Sequence, residues 1–272
     1  MTQVDKLRAE GFTGKGIRIG IVDSSVDYIH LTLGGCFGEG CLVAYGWDLT
    51  GDNYFPPESP APDPDPYDDC VGHGTHVAGI IAAQANEMGF TGAAPDVVLG
   101  MYRAWGCSGL STNDILLDGF NRAYEDGSNI ISCSAGQYTG WANDPWAIAA
   151  SKIVAQGVPV IVSPGNSGRS GMFLAASPVT GVDVTAVGSV DNAIIPLLLE
   201  AGSYDTGNDT ADPQLFGLAS GAPEYAESIT LPLWAVSNDT ISPNDACAVL
   251  PDDTPNLSSK VVLLRVADTS EC

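Results

Sequence analysis

The sequence predicts an α/β fold of three layers, with helices on both faces of a central, mostly parallel sheet. Three observations carry that prediction. Short apolar, β-branched runs alternate with helical patterns from residue 17 to about residue 190. The runs are apolar throughout, as strands buried on both faces must be, rather than apolar on alternate positions. Hydrophobic residues make up 44% of the chain, enough to fill a large core.

The elements follow in order. Residues 1–16 are polar and then glycine-punctuated (GFTGKG). Ile17–Ser25 (IRIGIVDSS) reads as a strand that ends in an aspartate. Residues 34–66 read as loop, from GGCFGEGC to PPESPAPDPDP. His76–Asn86 has the pattern of a buried helix, and Val97–Trp105 that of the next strand. Thr112–Gly127 is an amphipathic helix with Ile115, Leu116, Gly119, Phe120 and Ala123 on its apolar face, and Thr112 or Asn113 as its cap. Then come the strand NIISCSAG, the helix Ala147–Gly157, the strand Val158–Asn166 and a last strand, Asp183–Asp191. Residues 1–195 are therefore expected to form one domain. Beyond them helical periodicity stops and short strand-like pieces take over (SITLPLWAV, KVVLLRVAD), so residues 196–272 are expected to form a separate β-rich module.

Composition narrows the function. Thirty-three acidic residues against ten Lys and Arg give a net charge of −23, which argues against nucleic acid or an anionic membrane as partner. No apolar run reaches the length of a membrane span. Seven cysteines and sequons at Asn208, Asn238 and Asn256 fit a secreted protein. The amino terminus, MTQVDKLRAEG, has neither the basic nor the apolar part of a signal peptide, so the chain is expected to be a fragment.

In open parallel sheets, functional residues gather at the carboxyl ends of strands. Asp23 and Asn166 stand just past two such ends. DDCVGHGTHVAGIIAA adds His73 and His76, three apart. As a metal pair they lack a third ligand in the helix, and the remaining histidine, His30, follows another strand, so no metal site is assigned. The stronger chemistry is an aspartate that orients an imidazole, which in turn takes a proton from a serine.

GKGIRIGIVDSSVDYIH followed by GHGTHVAGIIAA, TGAAPDVVLGMYRAWG, NIISCSAG and VIVSPGNSG resembles the subtilisin-like serine proteases, motif after motif and in the same order. The GGCFGEGC loop and ACAVLPDDTPNLSSKVVLLR resemble secreted fungal members that carry an inserted protease-associated domain. The resemblance implies a subtilisin-like fold and an endopeptidase acting as a monomer on protein or peptide substrates. It implies Asp23 as the catalytic aspartate, His73 as general base and Asn166 as side-chain donor of the oxyanion hole. Ser134, Ala135 and Gly136 match the edge that pairs with substrate backbone. His76 matches a packed structural position. Gly72, Gly74 and Gly79 are read as allowing the helix start and close packing around it. No cofactor is required for the chemistry. Calcium often stabilises the family, but no complete cage of oxygen ligands can be placed in this sequence.

The serine is missing. The family's G-T-S-M-A-x-P turn does not occur, and Ser108, Ser167 and Ser170 lack the setting of a nucleophile. The chain is expected to stop inside the inserted module, ahead of the serine. An inactive homologue that binds peptides, and a metal-dependent hydrolase using His73 and His76, are the alternatives. Cys36 and Cys41 enclose a short glycine-rich turn and are expected to bridge. In the family's fold the loops of Cys70 and Cys107 flank the cleft, which implies a disulfide between them. Cys247 and Cys272 bracket KVVLLR and would close the module, leaving Cys133 as a buried thiol.

Overall fold

The computed structural model describes residues 2–86, 89–171, 174–190, 199–205, 214–217, 230–236 and 249–263. Six parallel strands form its central sheet: β1 (Arg18–Asp23), β2 (Val43–Asp48), β3 (Val98–Arg103), β4 (Ile130–Cys133), β5 (Val160–Val162) and β6 (Thr185–Ala186). Their order is β2-β3-β1-β4-β5-β6. From β1 the chain passes to the edge strand β2 and returns with β3 between them, and β4, β5 and β6 then follow in turn on the other side. Four α-helices accompany them: α1 (Val4–Ala9), α2 (His73–Ala82), α3 (Asn113–Glu125) and α4 (Pro145–Ala155).

Period-two alternation sorts the core into two layers. Ile19, Ile21, Leu99 and Met101 point to one face, where they pack with Ala78 and Ala82 of α2. Val22, Tyr102, Ile131, Cys133, Val160 and Val162 point to the other, against Phe120 of α3 and Trp146, Ala150 and Ile153 of α4. This is the expected three-layer subtilisin-like arrangement. The apolar face expected on α3 is the buried one, all five residues included.

Local boundaries moved for identifiable reasons. β2 lies inside the stretch expected to be loop. It is an edge strand with a register shift between Val43 and Tyr45, and only its end residues are fully buried. Gly46 sits at φ +147°, where a Cβ would collide with the Met101 carbonyl. Such a strand has no alternating apolar pattern to read. α2 begins at His73 rather than His76, after Gly72 at φ +76°. It ends at Ala82 rather than Asn86, because Gln84 turns away to give its backbone N–H to the Thr32 carbonyl at 2.7 Å and its side-chain amide to Ala82 and Pro95 at 2.9 Å. α4 starts two residues early, since the Asp144 carboxylate accepts from the Trp146 N–H at 3.0 Å and Pro145 occupies the first turn. Thr112 is the α3 cap residue, but its hydroxyl makes no capping bond to a helix N–H and pairs with the Tyr54 hydroxyl at 3.2 Å.

Two of the three glycines of α2 and its cap have a clear cause. Gly72 takes the left-handed conformation, and a Cβ at Gly74 would lie 2.0 Å from the Ser25 carbonyl oxygen. A Cβ at Gly79 would meet nothing within 4 Å, so close packing does not explain that residue. Opposite outcomes follow. Gly74→Ala should destabilise by roughly 1–3 kcal/mol through overpacking. Gly79→Ala should stabilise by up to about 1 kcal/mol through helix propensity. Urea unfolding midpoints of the two variants decide it: an unchanged or raised midpoint for Gly74→Ala would contradict the packing at Gly74, and a lowered one for Gly79→Ala would contradict the open space at Gly79.

The chain divides into two compact units, Met1–Ala193 and Ile194–Cys272. In the second, β7 (Leu199–Gly202) pairs antiparallel with β8 (Gln214–Gly217), and β9 (Leu233–Ala235) pairs parallel with β10 (Val261–Leu263). Of the sequons, Asn256 is exposed, while Asn208 and Asn238 lie outside the described residues. Cys36–Cys41 and Cys70–Cys107 are disulfides, with Cα–Cα distances of 5.7 and 5.5 Å. The expected Cys247–Cys272 pair lies outside the described residues.

Candidate active site

Alternation along β1 places Asp23 on the same face as Ile19 and Ile21, the face that α2 covers. β1 is also where the strand order reverses, the position at which such sheets open a crevice. α2 enters that crevice with His73 as its first residue. Ser24 locks the two elements together: its hydroxyl accepts from the Gly74 N–H at 3.1 Å. The absent Cβ of Gly74 then lets the helix start lie directly on Ser25.

The result is a carboxylate–imidazole pair. Asp23 Oδ1 lies 2.7 Å from His73 Nδ1 and also accepts from the Ser24 N–H at 2.7 Å. Asp23 is 2% exposed, whereas the His73 side chain is 53% exposed. A carboxylate held out of water therefore faces an imidazole with an open side. The hydrogen bond that His73 donates to Asp23 raises the His73 pKa above its ordinary value; partial burial opposes this, and the Asp23 charge adds to it. Among the described residues, Asp23 Oδ2 is buried without a hydrogen-bond partner.

A cleft of about 550 Å³ opens beside this pair. Its lining brings together Asp23, His73, Ser134, Ala135, Gly136 and Asn166, every site residue the sequence singled out. Ser134–Gly136 directly follow β4, and Asn166 stands in the loop after β5. Trp105 and Tyr138 complete the walls. Neither carries a site signal in the sequence: Trp105 reads only as the end of a strand, and Tyr138 is an isolated aromatic outside any periodic pattern.

Two other features were missed. Arg103, the last residue of β3, is buried among Asp48, Asp52 and Asp68. Asp68 in turn accepts from the N–H groups of Cys70, Val71 and Gly72, the residues leading into His73. The adjoining aspartates of DDC were the available signal. The Cys70–Cys107 disulfide lies against the same guanidinium, with sulfur–nitrogen distances of 3.6 and 3.5 Å.

His76 is exposed, contrary to the packing expected of it. The buried line of α2 is Gly74, Ala78 and Ala82, at four-residue spacing, and position 76 falls off that line. His30 caps a short 3₁₀ turn, its Nδ1 accepting from the Thr32 N–H at 3.3 Å. The serines weighed as nucleophiles have structural settings. Ser108 donates to the Tyr54 carbonyl at 2.9 Å, while Ser167 precedes a 3₁₀ turn that contains Ser170 and hydrogen-bonds the Tyr138 phenol. None of the described serine hydroxyls hydrogen-bonds His73. Cys133 is buried on the face covered by α3 and α4; burial, helped by the nearby Asp23 charge, pushes its thiol up to about 12, so it stays a neutral packing group.

Fold and site together define an α/β protein whose buried aspartate orients a cleft histidine at a sheet's switch point. Residues 14–257 match the subtilase family, and the chain belongs to that family. The minor extracellular protease Vpr of Bacillus subtilis (strain 168) is 34% identical over 198 residues, 72% of this chain and 23% of Vpr. Subtilisin DY of Bacillus licheniformis is 30% identical over 193 residues, 71% of this chain and 63% of that protein. The crystal structure of the nisin leader peptidase NisP from Lactococcus lactis is similar at a TM-score of 0.53 and 27% identity, covering 68% of this chain and 59% of NisP. The matched stretch thus spans under a quarter of Vpr and under two thirds of subtilisin DY.

Proposed function

We propose that the protein carrying this chain is a serine endopeptidase with Asp23 as orienting acid, His73 as general base and Asn166 as oxyanion donor. The 2.7 Å Asp23–His73 contact inside a cleft shared with Asn166 is the observation that supports it most. Asp23 fixes the tautomer with the proton on Nδ1, which leaves Nε2 free to accept a proton from the attacking hydroxyl. The imidazolium that forms is stabilised by the buried carboxylate. Asn166 donates to the oxygen that becomes negative in the tetrahedral intermediate. Peptide backbone is proposed to lie along Ser134, Ala135 and Gly136, adding a strand beside them. No step needs a metal or a cofactor. The nucleophile is proposed to be a serine encoded beyond Cys272, brought to His73 when the fold is completed, with residues 196–272 belonging to an inserted module. Two disulfides, an exposed sequon at Asn256 and a relative described as extracellular support a secreted enzyme.

The test is to express the reading frame through the sequence that follows Cys272 and treat it with a fluorophosphonate probe. Labelling of a single serine, casein hydrolysis, and loss of both in His73→Ala are expected. Peptide binding with neither labelling nor hydrolysis would replace this function with that of an inactive peptide-binding homologue.

A further inference from the structure

The side chain that joins the two walls of the cleft is Tyr138. One wall is the Ser134–Gly136 segment and the other is the loop Ser163–Asn166. Tyr138 belongs to the first wall and is held there by its neighbour: Gln137 and Ser177 exchange backbone hydrogen bonds of 3.0 and 2.8 Å. Its phenol oxygen reaches across and accepts from the backbone N–H of Asn166 at 3.2 Å. Its ring lies on Gly165, where a Cβ would sit 2.7 Å from Tyr138 Cε1. Gly165 is at φ +91°, a conformation that favours glycine for a second reason. Hydrogen bonding from Ser167, and then from the Asn166 amide, also holds the phenol below its ordinary pKa. The ring thus seats the turn and the hydroxyl fixes the amide of the residue that carries the oxyanion donor.

We propose that Tyr138 is a positioning residue that sets the orientation of Asn166 in the oxyanion hole, acting through the Asn166 backbone amide. This rests on Asn166 being the oxyanion donor. The physical reason is that an oxyanion donor works by being preorganised. A loop free to rotate must spend energy to aim the amide when charge develops, and that loss falls on the transition state rather than on substrate binding.

The experiment has two arms. The first needs no catalysis. In the 272-residue chain, Tyr138→Phe keeps the ring and removes the hydroxyl. Hydrogen exchange at the Asn166 amide should then accelerate by roughly tenfold at most, the worth of one hydrogen bond. The Gln137 and Ser177 amides should not change. Unchanged exchange at Asn166, or acceleration at all three amides, overturns the proposal whether or not the protein is a peptidase. The second arm uses the full-length protein and a peptide substrate. Tyr138→Phe should lower kcat by roughly tenfold with KM within about twofold, a fraction of the roughly 10²–10³ lost when such a donor is removed altogether, a range established in a subtilisin. In an Asn166→Ala background the same substitution should leave kcat unchanged. A KM effect with kcat intact, or an undiminished kcat effect without Asn166, makes Tyr138 a pocket wall and overturns the proposal. If the full-length wild type cleaves nothing, the peptidase function fails, and the exchange arm still decides the role of Tyr138.

Discussion

Asp23→Asn should lower kcat of the full-length enzyme by about 10⁴-fold while leaving the fold intact. The size follows from the geometry. Oδ1 holds the His73 proton on Nδ1 and simultaneously accepts from the Ser24 N–H. An amide can accept through its oxygen or donate through its nitrogen, but it carries no charge to stabilise an imidazolium. If the amide nitrogen faces His73, the imidazole takes the other tautomer and presents a proton, not a lone pair, to the nucleophile. The pH profile should move as well. Asp23 raises the His73 pKa, so wild-type activity falls as the pH drops through that raised value. Removing the charge lowers the pKa, so the acidic limb of the variant should appear at lower pH, on a much reduced plateau. Titration of His73 by proton NMR reads the same shift without turnover. Linkage adds a stability signature: the Asp23–His73 pair contributes fully below the unfolded imidazole value of about 6.5 and is lost as pH rises through the folded value. A variant with near-normal kcat, or an unmoved His73 titration, would remove Asp23 from the mechanism.

What the sequence revealed and what it hid divide along a physical line. α3 was legible because its apolar residues recur with the helix period and nothing else competes for them. Asp23 and His73 were legible because each is embedded in a short string that includes one side of the same close approach, Gly74 on Ser25. β2 was not, because an edge strand with a bulge shows no alternation, and its neighbours are rich in glycine and proline. The end of α2 was set by bonds from Gln84 to Thr32 and Pro95, partners distant in sequence. Tyr138 and Arg103 act across the fold as well, one between two loops and the other among three aspartates. Such residues acquire their meaning only when the chain is closed.

Arg103 is where the largest loss of stability is expected. It is 1% exposed and is the largest fully buried side chain among the described residues. Its guanidinium donates to Asp48 at 2.9 Å, Asp52 at 2.6 Å and Asp68 at 3.2 Å, and its Nε donates to the Trp105 carbonyl at 3.2 Å. Burial works against the charge, but the bond to Asp52 and the charges of Asp48 and Asp68 overcome it, so the guanidinium stays charged. Asp48 and Asp68 are themselves buried and are held by backbone amides, Thr50 and Gly51 for the first, Cys70, Val71 and Gly72 for the second. They cannot swing to solvent if the cation is removed. Arg103→Met should therefore cost about 3–5 kcal/mol, because it strands two carboxylates in the interior. That is comparable to opening the adjacent disulfide, whose 37-residue separation corresponds to about 4 kcal/mol of chain entropy. Two controls separate charge from packing. Adding Asp48→Asn and Asp68→Asn to Arg103→Met should recover much of the loss, since the stranded charges are gone. Lowering the pH should narrow the gap between Arg103→Met and wild type, since protonating the carboxylates removes the same charge. Urea unfolding across pH measures both. A loss below about 1 kcal/mol, or a gap that widens in acid, would show that Asp48 and Asp68 are not left as stranded charges when the cation is removed.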